Sequence, residues 1–69
     1  MKFKLEDKVK IVKDVNGGYF VGCEGVIEAL DKNELYGLRI YKANKIFTEA
    51  HMEIGNSVLY FKEEELELI

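Results

Sequence analysis

The chain is poor in the residues that carry covalent and metal chemistry. It holds one cysteine and one histidine in 69 residues. A single cysteine cannot close an internal disulfide, and a secreted domain this small usually needs several. Cys23 and His51 cannot supply the roughly four N or S ligands of a zinc site. As a nucleophile and base they would need close approach and a third, orienting group. Cys23 therefore reads as a small buried or half-buried residue and His51 as a loop residue. The chain also lacks proline, a low-complexity run, and a glycine-rich phosphate loop, because its glycine cluster leads into a strand and not a helix. No paired carboxylates stand at an acid/base position. No catalytic, cofactor-binding or metal-binding residue is expected, and no enzyme activity. A long hydrophobic segment is missing as well. The opening MKFKLEDKVK alternates charge with apolar residues, which argues against a signal peptide and a membrane span. The expected compartment is a reducing cytoplasm. A basic excess is absent too: the net charge is −3, which disfavours indiscriminate nucleic-acid binding.

What is present suits one small folded unit. An apolar content of 48% excludes global disorder. A chain of this length makes one domain, residues 1–69, too small for most deep enzyme clefts. Its charge is uneven. Residues 1–45 carry nine Lys/Arg against seven Asp/Glu, and residues 46–69 carry one Lys against six Glu. Two oppositely charged strands lying side by side account for that asymmetry more simply than a dedicated binding surface does.

Hydrophobic periodicity predicts strands. In residues 2–13 Phe3, Leu5, Val9 and Ile11 share one parity and Lys2, Lys4, Lys8 and Lys10 the other, a period of two. The main strand is expected at 8–13. A loop follows to Gly22, with Asn16-Gly17-Gly18 supplying positive-φ positions. Strands are expected at 24–30, with a bulge near Gly25, and at 35–42, where Tyr36, Leu38 and Ile40 share the inner face and Gly37, Arg39 and Tyr41 the outer. Residues 43–56 are read as an irregular loop containing at most a helical turn. A helical alternative would use Asn44 as N-cap, Gly55 as terminator and a face of Ile46, Phe47, Ala50 and Ile54. A strand at 57–61, a tight 3₁₀-like turn over Lys62–Glu65 and a short strand at 66–69 complete the chain. Phe3, Phe47 and Phe61 are expected in the core. Five short strands argue for an all-β fold, and curling into a small barrel removes exposed edges.

Three pieces of sequence resemble the SH3-like barrel of KOW type. They are DKVKIV before a Gly-rich loop, GYFVGCEGVI with Gly18, Phe20, Gly25, Val26 and Ile27 in the motif's positions, and the ending YFKEEELELI. The layout is also similar to small SH3-like proteins of bacteriophage and prophage genomes. The resemblance implies a single small SH3-like barrel of about five strands. It also implies a binding module whose partner is protein or RNA. Tyr19 stands where the motif often has proline, and the chain is acidic where RNA-binding members are basic.

The expected function is therefore a non-enzymatic protein–protein interaction, by a phage or prophage product acting on a host factor. Tyr19, Phe20, Arg39, Tyr41 and Tyr60 would be its anchors, because Tyr and Arg bury large area while keeping a polar tip. The alternative is a KOW-type RNA-binding module in transcription or translation, gripping phosphates with Lys8, Lys10, Lys13, Arg39, Lys42 and Lys45. Against that, the first and last strands of such a barrel are neighbours, which would set Glu67 and Glu63 to Glu65 beside the lysine stripe. The acidic triplet itself reads as a solvated turn more readily than as a phosphate mimic. A monomer or a weak homo-oligomer pairing through an exposed edge is expected.

Overall fold

The computed structural model describes residues 2–15 and 17–69. Asn16, one of the expected turn residues, lies outside the described residues. The strands are β1 Lys8–Ile11, β2 Glu24–Leu30, β3 Leu35–Lys42, β4 Leu59–Lys62 and β5 Leu66–Leu68. All pairs are antiparallel, in one sheet ordered β4-β3-β2-β1-β5. The two edge strands follow one another in sequence through a single 3₁₀ turn, Glu63–Glu65. That short link brings the edges together at one end and curls the sheet into a barrel-like form. The fold is all-β.

Alternation sets the inside. Val9 and Ile11 of β1, Ile27 of β2, and Tyr36, Leu38 and Ile40 of β3 are buried, as are Phe61 of β4 and Leu66 of β5. Phe3 and Phe47 close the core, and Cys23 is fully buried. The Tyr36 hydroxyl accepts the Phe3 backbone N–H at 3.1 Å, and the two rings meet edge to face at 5.2 Å. A buried tyrosine is thus satisfied, as buried polar groups need to be. The β2–β3 pairing shifts register twice, beside Gly25, where Tyr41 of β3 is the extra residue, and between Ile27 and Ala29, where Glu28 of β2 is. The first is the bulge expected near Gly25, and the second brings Ala29 opposite Gly37.

Several boundaries differ from the sequence reading. The first strand stops at Ile11 and not at residue 13, because the amides of Val12 and Lys13 both donate to the Glu65 carbonyl, at 2.8 and 3.3 Å. The fourth strand is Leu59–Lys62 and not 57–61. The last ends at Leu68, although the Ile69 amide still donates to the Lys8 carbonyl at 3.1 Å. Residues 43–56 contain a five-residue helix, α1 Lys45–Glu49, inside otherwise irregular chain. Asn44 caps it, but it ends at Ala50 and not at Gly55. Phe47 is buried in it, while Ile46 and Ala50 face solvent. One turn has room for only one inward side chain.

Gly55 has a different task. Its φ is +129°, and a Cβ there would stand 2.7 Å from the Ile40 carbonyl oxygen. The return from α1 to β4 therefore lies directly on β3, at a distance only glycine allows.

Candidate protein-binding surface

The outer face of β3 and β4 carries the exposed aromatics of the sheet, Tyr41 and Tyr60. Tyr60 of β4 lies opposite Gly37 in register, and its ring packs over the space a Gly37 side chain would fill. Arg39 follows, then Tyr41. From residue 37 to residue 41 a strand spans about 13 Å. Tyr60, Arg39 and Tyr41 thus form one strip along β3. Tyr41 and Tyr60 are each 52% exposed, so much of both rings is open to a partner.

Arg39 is held and not free-swinging. Its Nε donates to Glu28 Oε1 at 2.9 Å, and its Nη1 donates to the Gly55 carbonyl at 2.8 Å. The guanidinium has five N–H donors, so the remaining ones stay available in a fixed direction. Tyr41 sits in a charged frame. The Lys8 ammonium lies 5.8 Å from its ring centroid, and its hydroxyl donates to Glu24 at 3.4 Å. Partial burial, then the negative charge and hydrogen bond of Glu24, push the Tyr41 hydroxyl above its ordinary pKa. It stays a neutral donor through the physiological range.

The first loop is built separately. Asn44 joins it to α1: its Nδ2 donates to the Tyr19 and Val21 carbonyls at 2.6 and 2.9 Å, while its Oδ1 accepts the Phe47 amide at 3.1 Å. Its own backbone N–H donates to Cys23 Sγ at 3.4 Å. Burial pushes the Cys23 thiol up from its ordinary value, with the Asn44 amide pulling the other way. A thiol held protonated and out of solvent is a poor nucleophile. Asn44→Ala removes a helix cap and two loop bonds, and is expected to cost about 2 kcal/mol. Urea denaturation reads the loss, and amide exchange should quicken at Val21, Gly22 and Phe47 together.

The expected anchors are only partly brought together. Tyr41, Arg39 and Tyr60 share the strip. Tyr19 is 60% exposed, but its ring folds back over Gly17 in its own loop. Phe20 is half-buried, stacked on Phe47 at 5.2 Å and edge-on to Phe61 at 5.8 Å. Its ring belongs to the core, which corrects its placement among exposed anchors. Its neighbour Asp14 orients that inward turn by accepting the Phe20 amide at 3.2 Å. The motif position of Phe20 in GYFVGCEGVI was the one sequence signal separating it from Tyr19.

The cations proposed for phosphate binding are largely engaged. Arg39 pairs with Glu28, Lys42 with Glu24 at 3.7 Å and Lys45 with Glu49 at 3.8 Å. Lys8 stands over Tyr41. Lys10 lies between Glu24 on β2 and Glu67 on β5 in register. The adjacency of Glu67 to the lysine stripe is as the sequence led one to expect. Glu65 meets Lys13 only through its backbone carbonyl; its carboxylate is turned inward and the residue is 3% exposed. Lys13 is exposed, in the stretch where residues 12 and 13 bond to Glu65.

Among the described residues no three His, Cys, Asp or Glu side chains converge as metal ligands. His51 is exposed in the turn after α1, at φ +55°. No helix of the described residues is long and apolar enough to cross a membrane. No family model matches the chain, and no curated protein or solved structure is significantly similar to it.

Proposed function

We propose that the chain is a non-enzymatic binding module that engages a protein through the outer face of β3. The supporting observation is the strip itself: two tyrosines about half exposed, set either side of an arginine already fixed by Glu28 and Gly55. Aromatic and arginine side chains carry a disproportionate share of binding energy at protein interfaces. Holding them in place beforehand reduces the entropy lost on association. The likeness to phage and prophage SH3-like proteins makes a host factor the natural partner. A nucleic-acid target fits less well, because Glu24, Glu28, Glu49 and Glu67 stand beside the cations that would meet phosphate.

The test is affinity capture from bacterial lysate, with and without nuclease, read by mass spectrometry, followed by titration of the captured partner. Tyr41→Ala and Tyr60→Ala are each expected to weaken it by about 2 kcal/mol, near thirty-fold, with modest dependence on salt. Capture that disappears with nuclease, or an affinity indifferent to both substitutions, removes this reading in favour of the RNA-binding alternative or of another surface.

A further inference from the structure

The outer face beside the strip has a charge pattern with a definite complement. Two rows cross β1, β2 and β3. In one, Lys10 lies opposite Glu24, which lies opposite Lys42. In the other, Lys8 lies opposite Val26, which lies opposite Arg39. The first row alternates in sign, with Glu67 continuing it on β5. The second has two cations separated by an apolar side chain and contains no carboxylate on these three strands. Arg39 is relieved by Glu28 alone, through Nε. Lys8 has Val26 across from it and the Tyr41 ring beneath it, and no carboxylate within ion-pair distance among the described residues. Four cations here, Lys8, Lys10, Arg39 and Lys42, meet Glu24, Glu28 and Glu67, and a fourth carboxylate, Glu6, stands at the edge of the face in a hollow shared with Val26 and Glu28. Lys8 and Lys10 are the cations of this face with no ion-pair partner among the described residues, and of the two only Lys10 has carboxylates opposite it in register.

We propose that this face docks an acidic protein segment in which an apolar side chain stands between carboxylates. The apolar group covers Val26 and Tyr41, and the carboxylates meet Lys8 and the unused N–H donors of Arg39. The inference rests on the binding-module reading and adds the chemistry of the partner. Electrostatic complementarity of this kind sets specificity and encounter rate more than raw affinity. A continuous phosphate chain fits worse. It cannot avoid Glu24 and Glu28, whereas discrete carboxylates can be placed on Lys8 and Arg39 alone.

The probe is a random linear peptide library displayed on phage and panned on the full chain, with the best sequences resynthesised for fluorescence titration. Selected peptides are expected to be rich in Asp and Glu flanking an aromatic or aliphatic residue. Lys8→Glu is expected to weaken them at least ten-fold and Lys8→Gln by less. Lys32→Glu, in the turn between β2 and β3, is expected to leave them unchanged. Circular dichroism of the Lys8 variants separates lost binding from lost fold, and Lys8 is exposed enough for both to fold. Basic or charge-free consensus peptides, no enrichment, or binding indifferent to Lys8→Glu overturns the proposal. So does tight binding of a poly-uridine oligonucleotide that Lys8→Glu abolishes. If lysate capture still yields a nuclease-resistant partner sensitive to Tyr60→Ala, the binding-module reading survives and only the acidic-segment inference falls.

Discussion

Replacing Glu65 with alanine is expected to destabilise the fold by about 3 kcal/mol. Glu65 closes the 3₁₀ turn and is almost wholly buried. One carboxylate oxygen accepts the Lys62 amide at 2.8 Å and the other the Val15 amide at 3.2 Å. Its carbonyl meanwhile accepts from Val12 and Lys13. A single residue therefore ties the first loop to the link between the two edge strands. Alanine leaves two partly buried amides without their charged acceptor, and hydrogen bonds to charged groups are worth about 1.5–3 kcal/mol each. A domain of this size has roughly 3–10 kcal/mol in total, so the loss is a large share of it. Glu65→Gln keeps the shape and one acceptor oxygen, but turns an N–H donor toward an amide that needs an acceptor. It is expected to lie about midway. Glu63→Ala and Glu64→Ala, both exposed, should change stability by under about 0.5 kcal/mol. Guanidinium denaturation of the four variants decides the matter. Equal midpoints across the triplet would mean that Glu65 is no latch.

Gly37→Ala is expected to cost about 2 kcal/mol or more, from overpacking on the outer side of the sheet. A Cβ at this position would stand 2.6 Å from Val58 Cγ1, and 3.0 Å from both Ala29 Cβ and the Tyr60 ring. The backbone conformation is not at issue; the space is already occupied. Val58→Ala in the Gly37→Ala background removes the nearest atom and should recover part of the loss, a positive coupling in a double-mutant cycle. Gly37→Ala is also expected to lift the Tyr60 ring and weaken partner binding, whereas Glu65→Ala should reduce stability without altering affinity per folded molecule. A fully stable Gly37→Ala protein would contradict the close packing of Tyr60 over this site.

Strands β2 and β3 were legible to the residue, because turn residues at 31–34 separate them, glycines precede β2, and β3 alternates Tyr36, Leu38 and Ile40 with Gly37, Arg39 and Tyr41. The burial of Phe3 and Phe61 followed from strand parity, whereas Phe47 and Cys23 lie in segments without a period and were placed by residue type alone. The role of Glu65 was not legible. In Glu63-Glu64-Glu65 three identical side chains leave in three directions from a 3₁₀ turn, and nothing in a uniform triplet says which one points inward. Phe20 and Tyr19 posed a similar problem. Both are aromatic residues in a glycine-rich loop that has no period to separate inside from outside. The strip on β3 was half legible. Outward parity placed Arg39 and Tyr41 on one face, but the seating of Tyr60 over Gly37 depends on cross-strand register, which residue spacing within one strand does not carry. Lys8 appeared as one of a stripe of lysines. Its distinction, an apolar residue opposite and an aromatic ring beneath, exists only once β1 is paired with β2.

The long connection before β2 has a consequence for engineering. Length and glycine content would ordinarily recommend such a segment for a peptide graft, a fluorophore or a new chain opening. Here Glu65 holds Val15, Asn44 holds Tyr19 and Val21, and Phe20 is anchored among Phe47 and Phe61. An insertion would pull on the centre of the protein from three directions. The four-residue reversal between β2 and β3 is the better site. Lys32 and Asn33 are exposed at its tip, and the bond closing it, from the Asp31 amide to the Leu35 carbonyl at 2.9 Å, lies behind the point of insertion. In this barrel the shorter loop is the one that can be lengthened.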